Sequence, residues 1–488
     1  MNNHPQVSLE SWNSLFAPGS VAVIGASNTP GSWGNNAMKG ALFAGNKSVY
    51  PVNPNSPEIM GKTAYKSIKD IPGKVDLAVI VVPERLVPGV MRDCVSKGVK
   101  AAIVITSGFA ETGEAGREMQ AEVLKIAREG GIHFIGPNSM GHADTSSKLS
   151  TFGQSMDTPK GPVAVLSQSG STCMKIVRAL AEAGIYCSKY VSTGNEADLY
   201  LEDYIEYLAK DNDTKLIAAY VEGLRDGRRF FNLAREITRT KPIVLVKVGG
   251  TEESARAVMS HTGALAGSDA VYTAAFKQSG VIRAEDDDEL IDIIYSLLNS
   301  PLPRNNRVGI LTIGGGQGAL AAEICEKEGL AVGKLEPETI LKLDKILPPR
   351  WPRRNPVDMA GPNAADLSQI SNLLWPLIED KNLDIILLLV PVVMDNSVLV
   401  GRMGLNPDQI KAYKEQEARN LELIKQKIEK FEKPVALLWQ GRGVVGDQSM
   451  LGQLRKGKIL AFSNMRRTAR VINILYRYRL YLETTKGE

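Results

Sequence analysis

The chain has 488 residues, 43% hydrophobic and 23% charged, the proportions of an ordinary soluble globular protein of about three domains. A net charge of +4 spread over this length is too weak to argue for nucleic-acid binding. Four scattered cysteines (Cys94, Cys173, Cys187, Cys325) have no metal-binding spacing and point to reduced thiols in the cytoplasm, with no zinc site.

The start, Met1-Asn2-Asn3-His4-Pro5, lacks the basic-then-apolar pattern of a signal peptide. The first element in chain order is an apolar strand, Ser20-Val21-Ala22-Val23-Ile24. A loop of small residues follows from Gly25 to Gly34, then a helix toward Gly45. Further strands are expected at Val75 to Val82 and Ala101 to Thr106. The same unit returns as Val163 to Leu166, the loop Ser167-Gln168-Ser169-Gly170-Ser171, and a helix Thr172 to Ala183 ended by Gly184. Strands at Ile217 to Val221 and Ile243 to Val248 follow. The third copy is Val308 to Ile313, the loop Gly314-Gly315-Gly316-Gln317-Gly318, and a helix Ala319 to Glu328 ended by Gly329. Leu383 to Met394 contains Asp384 and Pro391 and is too short to span a bilayer; it is expected to be a buried strand. Asp408 to Lys433 predicts a long, charged, solvated helix.

Continuous apolar strands imply parallel sheets covered by helices on both faces. Three domains are therefore expected at 1–155, 156–302 and 303–488. The first ends in the polar stretch Ala143 to Lys160, and the Pro-rich link Ser300 to Asn306 separates the last. Each loop runs from a strand into the N-terminus of a helix, where free N–H groups and the helix dipole favour an anion. A single loop of this kind is often only a turn. Three in one chain favour phosphate handling.

His261 is one of only four histidines and lies in Ser260-His261-Thr262-Gly263-Ala264-Leu265-Ala266-Gly267. Such small neighbours cannot pack around an imidazole. The position suits a loop that reaches into a site, or else a solvated surface loop. The first loop departs from the Gly-x-Gly-x-x-Gly spacing of dinucleotide binders. The strand Ser48 to Val52 ends in Asn53-Pro54-Asn55, without the carboxylate that would hold a nicotinamide ribose. Coenzyme A fits better than NAD.

The chain resembles the α subunit of the NDP-forming acyl-CoA synthetases, relatives of succinyl-CoA synthetase. The residues that carry the resemblance run in order along nearly the whole chain. They are Gly25 to Gly34, Val52-Asn53-Pro54, Val81-Val82-Pro83, Thr106 to Glu111, Ile135 to Asn138, Ser167 to Gly170, Glu222-Gly223, Ser260 to Ala264, Gly314 to Gly318 and Asn355 to Asp358. The resemblance implies an α/β chain with a Rossmann-like CoA-binding domain followed by two flavodoxin-like ligase domains. It implies CoA contacts at Gly25, Ala26, Ser27, Pro30, Gly31, Asn53, Pro54, Asn55, Val82, Pro83, Thr106, Ser107, Gly108 and Asn138. It makes His261 the residue phosphorylated in turnover, with Glu222 on its imidazole. Phosphate would sit at two helix N-termini, formed by Ser169, Gly170 and Ser171 and by Gly315, Gly316 and Gln317. A separate ATP-grasp β subunit would bind ADP or ATP and Mg2+, in an α2β2 assembly acting on a small carboxylic acid and its acyl-CoA. No metal site, nucleic acid or membrane is expected of this chain.

The physical logic agrees. A neutral imidazole nitrogen attacks phosphorus while a carboxylate on the other nitrogen sets the tautomer. For Glu222 the plainer alternative is an exposed strand-end carboxylate paired with Arg225 or Arg228. Asp358 is assigned no role beyond capping or bracing, and Cys173 reads as a small buried helix residue. Competing functions are a non-catalytic CoA-binding or regulatory protein, a nucleotide-independent acyl or CoA transferase, and an NAD-linked oxidoreductase.

Overall fold

A computed structural model describes residues 6–45, 47–153, 158–256, 268–359, 367–389, 406–438, 454 and 458–485. His261 lies outside them. The chain forms two compact units, Met1–Ile291 and Asp292–Glu488.

The first unit holds two sheets. The first sheet is made of Ser20–Ile24, Ser48–Val52, Leu77–Ile80, Ala101–Val104 and His133–Ile135, all parallel. Their spatial order is second, first, third, fourth, fifth. The second sheet repeats that order with Val163–Ser167, Cys187–Ser192, Leu216–Val221, Ile243–Lys247 and Ile282–Ala284. Beyond Cys187–Ser192 it gains Gly141–Asp144 and then Leu149–Ser150, both antiparallel. These two short strands lie at and within the start of the stretch from Ala143 to Lys160 that composition marks as polar, so the second sheet draws on residues before 155. Every residue of Ser20–Ile24, Val163–Ser167 and Ile243–Lys247 is buried, as expected for strands covered on both faces. One apolar cluster runs from Leu77 and Ile103 of the first sheet to Leu166 and Ile217 of the second.

The second unit carries the order a third time. Arg307–Thr312, Ala331–Val332, Ile385–Leu389, Val435–Leu438 and Ile459–Phe462 lie second, first, third, fourth, fifth, and Val357–Asp358 pairs alongside Arg307–Thr312. Its core gathers Leu311, Trp351, Leu377, Ile386 and Ile428. Of the run Leu383 to Met394, Ile385–Leu389 is a fully buried strand; residues 390–394 lie outside the described ones. The charged helix spans Pro407–Phe431. Among the described residues no helix is long and apolar enough to cross a membrane.

In a doubly wound sheet of this order, the strand sequence reverses between the first and third strands. A crevice opens there, at the carboxyl ends, where ligands bind. The fold therefore makes three such crevices, and the small-residue loops all issue from first strands.

Candidate functional site

In the first crevice, the strand Ser20–Ile24 ends at Gly25, whose N–H bonds Val52 O at 3.0 Å. Gly25 has φ +90°, and a Cβ there would stand 2.1 Å from Val81 O. A Cβ on Gly34 would stand 2.0 Å from Gly25 O. Only glycine lets this loop lie flat against the neighbouring strand end and the helix Trp33–Phe43. Ser32 caps that helix by accepting from Asn35 N at 3.2 Å, while Ser27 Oγ accepts from Thr29 N at 3.0 Å. Asn53 Nδ2 donates to Ala26 O at 2.9 Å, and Asn53 Oδ1 accepts from Asn55 N at 2.9 Å. The second strand thus ends in an amide that braces the loop, where a nicotinamide binder would carry a ribose-holding acid. Pro30, Gly31, Pro54, Asn55 and Pro83, in the loops that follow these strands, are exposed, and nothing lies within 4 Å of a Cβ built on Gly31.

The far wall comes from the third and fourth strands. Thr106 Oγ1 donates to Val82 O at 2.7 Å, and Asn138 N donates to Thr106 O at 2.8 Å. Glu111 Oε1 accepts from Gly108 N at 2.6 Å and Phe109 N at 3.2 Å, fixing the turn after Ser107. Burial alone would raise the Glu111 carboxyl. A hydrogen bond from Asn195 and those backbone N–H groups outweigh it and hold the carboxyl below its ordinary range. The residues expected to hold CoA from the first unit's opening domain thus gather around one crevice.

In the second crevice the helix begins at Gly170, two residues before the expected Thr172, and runs to Glu182. Ser167 Oγ donates to Ser169 O at 2.6 Å and accepts from Ser169 N at 3.2 Å, which tightens the turn. Ser169 caps the helix, accepting from Thr172 N at 3.4 Å. Ser169, Gly170 and Ser171 therefore line a helix N-terminus. Cys173 is wholly buried behind them, and burial pushes its thiol up, the state of an inert core thiol.

Glu222 stands at the end of the third strand of the same sheet. It is 6% exposed, not the solvated strand-end carboxylate of the plainer expectation. Arg225 donates to Asn195 O at 2.7 Å. The buried Gln168 bridges the crevice: its Oε1 accepts from Glu222 N at 2.5 Å and Gly223 N at 3.0 Å, and its Nε2 donates to Gly223 O at 2.8 Å. Lys247 Nζ donates to Glu222 O at 2.9 Å and to Val248 O. Burial, then Arg283, holds Lys247 below the usual lysine range.

The two crevices are joined through Ser139 and Met140. Ser139 Oγ donates to Ser192 O at 2.5 Å, and a Cβ on Gly170 would stand 2.4 Å from Met140 Cγ. Within the first unit the segment Asn138 to Met140 thus runs from Thr106 to the helix terminus at Gly170.

The loop in the second unit repeats the hydroxyl device. Thr312 Oγ1 donates to Gly314 O at 3.1 Å and accepts from Gly314 N at 3.3 Å. The helix Gly315–Lys327 starts four residues before the expected Ala319, with Gly315, Gly316 and Gln317 exposed in its first turn. A Cβ on Gly315 would lie 3.3 Å from Asp358 Oδ2. Asn355 braces the sheet, accepting from Ile310 N at 2.9 Å and donating to Val308 O at 2.7 Å and Gly333 O at 2.8 Å.

Of the other histidines, His133 Nδ1 lies 3.0 Å from Asp198 Oδ2, and His142 is fully buried against Leu15 O at 2.7 Å. Sequence reasoning missed Asn195 and Glu196. The available signal was the turn-rich run Thr193-Gly194-Asn195-Glu196-Ala197-Asp198 directly after an apolar strand. Glu196 has φ +51° and is buried; its Oε1 accepts from Thr193 Oγ1 at 2.8 Å. Burial, then the neighbouring Glu202, raises its carboxyl to about 8.

The family described as CoA binding domain matches residues 19–144, and the family described as Succinyl-CoA ligase like flavodoxin domain matches residues 160–297. Fold and matches together define the class, a CoA-binding ligase chain of the succinyl-CoA synthetase superfamily. The acetate–CoA ligase [ADP-forming] II subunit alpha of Pyrococcus furiosus is 43% identical over 374 residues, 76% of this chain and 81% of that one. The acetate–CoA ligase [ADP-forming] I of Archaeoglobus fulgidus is 41% identical over 374 residues; the match takes in 76% of this chain but only 54% of that protein. Acetyl-coenzyme A synthetase 1 of Candidatus Korarchaeum cryptofilum, whose structure contains phosphate and ADP, superposes with a TM-score of 0.81. It is 32% identical and covers 98% of this chain and 99% of its own. The chain belongs to the α-subunit family of the ADP-forming acyl-CoA synthetases.

Proposed function

We infer that the chain is the acyl- and phosphoryl-transferring subunit of an enzyme that interconverts acyl-CoA, ADP and phosphate with carboxylic acid, CoA and ATP. The observation that carries this reading is the junction of the two crevices of the first unit. Met140, two residues after Asn138, packs on Gly170 at a helix N-terminus, and Gln168 before that helix bonds the backbone of the buried Glu222.

CoA would lie in the first crevice along Gly25, Ala26, Ser27, Pro30, Gly31, Asn53, Pro54, Asn55, Val82, Pro83, Thr106, Ser107, Gly108 and Asn138. Phosphate oxygen would attack the thioester carbonyl, the C–S bond would break, and CoA thiolate would leave with acyl phosphate formed. Nε2 or Nδ1 of His261 would then attack phosphorus, breaking the acyl–phosphate bond and releasing the carboxylate. Glu222 would hold the other ring nitrogen as positive charge develops. The N–H groups at Ser169, Gly170 and Ser171 would carry the phosphoryl charge without a mobile cation. Gly315, Gly316 and Gln317 would serve the same purpose in the second ligase domain.

In the last step phosphohistidine would give its phosphoryl group to ADP and return as neutral imidazole. Nucleotide and Mg2+ would be held by an ATP-grasp β subunit, in an α2β2 assembly. The relatives named for acetate favour a small carboxylic acid as substrate. The four cysteines, all free and buried, suit the cytoplasm, where CoA and ADP are found. The test is a panel of acids assayed for CoA-dependent ADP formation by the chain with its partner. Turnover that disappears in His261→Asn supports the reading. Acyl exchange without nucleotide that persists in His261→Asn would favour a CoA transferase and overturn it.

A further inference from the structure

We propose that Asn195 is a positioning residue whose side chain sets the CoA loops in register with the phosphate-binding helix terminus. The inference rests on the function proposed above. Asn195 is 2% exposed, and both ends of its side-chain amide are engaged across the seam between the two sheets. Its Nδ2 donates to Glu111 Oε2 at 2.6 Å and to Gln120 Oε1 at 3.0 Å, and its Oδ1 accepts from Asn138 Nδ2 at 3.3 Å.

Each of two partners leads to a site loop. Glu111 holds the N–H groups of Gly108 and Phe109 with its other oxygen. Asn138 ties back to Thr106 O through its own N–H. On the ligase side, Asn195 O accepts from Arg225, three residues after Glu222, and the nearby Thr193 N donates to Ser167 O at 2.8 Å beneath the phosphate loop. The backbone is pressed home as well. Asn195 N donates to Pro137 O at 2.9 Å, and a Cβ on Gly194 would stand 2.3 Å from that same oxygen.

The main-chain bonds survive substitution at Asn195, so a side-chain change acts on register and leaves the seam closed. Asn195→Asp places a carboxylate oxygen against Glu111. Glu111→Gln leaves two amide groups opposed. Combining the two restores one donor and one acceptor with the polarity reversed, while the amide oxygen introduced at position 111 still accepts from Gly108 and Phe109; the Gln120 amide turns its Nε2 to the new carboxylate and gives up only the 3.4 Å bond from Ala110 N.

The experiment uses the enzyme assembled with its nucleotide-binding partner. Two half-reactions are followed: formation of acyl phosphate and free CoA from acyl-CoA and phosphate, and phosphorylation of the chain by ATP. The first needs both crevices in register and the second needs no CoA crevice. We expect Asn195→Asp to slow the first roughly 10- to 100-fold and to leave the second within about twofold, as for a displacement near 1 Å. Asn195→Asp/Glu111→Gln should recover most of the lost rate. Equal loss of both half-reactions, no loss in the first, or no recovery in the double variant would overturn the proposal. Failure of the unaltered enzyme to bind CoA would instead strike the proposed function, and this inference with it.

Discussion

Glu196→Gln should make the protein more stable at neutral and alkaline pH, and the size of the gain follows from where Glu196 sits. Its carboxyl is buried behind the phosphate loop, with one oxygen on Thr193. Burial and Glu202 raise it from 4.5 to about 8. Between these values the folded chain keeps a proton that the unfolded chain gives up. Stability is therefore full below about pH 4.5 and falls as pH rises toward 8. At about 1.4 kcal/mol per pH unit, and less close to 4.5 and to 8 where one state is itself titrating, the loss between pH 5 and pH 8 is about 3 kcal/mol. Glutamine has the same shape and does not titrate. The gap between variant and parent should widen by about 3 kcal/mol over that interval, on the order of 6–10 °C in melting temperature for a domain of this size. Thermal unfolding followed in steps from pH 5 to pH 9 measures it. A gap that is constant with pH, or that narrows as pH rises, would refute the argument that the buried site holds a neutral acid.

Gly25→Ala forces a Cβ to 2.1 Å from Val81 O at φ +90°. It should cost about 2 kcal/mol or more and abolish CoA binding by calorimetry; unchanged affinity would contradict the CoA crevice. Glu222→Gln should slow phosphorylation of the chain by about a hundredfold while leaving CoA affinity intact, since a neutral amide cannot balance an imidazolium. An equal loss in both would reassign Glu222 to folding. His142 is held down to about 4 by burial, so the unfolded chain takes up a proton first as pH falls below 6.5. About 3 kcal/mol should be lost between pH 6.5 and 4, and His142→Phe should flatten that slope in acid unfolding curves.

Much of this was legible because one supersecondary unit recurs. Apolar strand, small loop and helix can be read from local pattern, and each loop fell at a first-strand end. Helix starts were placed late, at Thr172 and Ala319, because serine and glycine in a first turn look like loop by composition while having helical geometry. Gly141–Asp144 and Leu149–Ser150 were hidden for a related reason. They are short, and join the second sheet only as antiparallel additions: Gly141–Asp144 pairs with Cys187–Ser192, some 45 residues away, and Leu149–Ser150 pairs with Gly141–Asp144. The turn-rich run around Asn195 and Glu196 marks a loop, but their burial is a tertiary fact. No local period announces an amide that bonds residues 57 to 84 positions distant. Gln168 showed only as part of a small-residue loop, although its side chain carries the link to Glu222.

The most direct test of phosphoryl transfer is to locate the label after the assembled enzyme is incubated with γ-labelled ATP, and separately with acyl-CoA and labelled phosphate. The account predicts that both routes label the same residue, His261. It also predicts that the label is chased by ADP in the first case and by acid plus CoA in the second. Label on any other residue, or full turnover in His261→Asn without a phosphorylated chain, would contradict it.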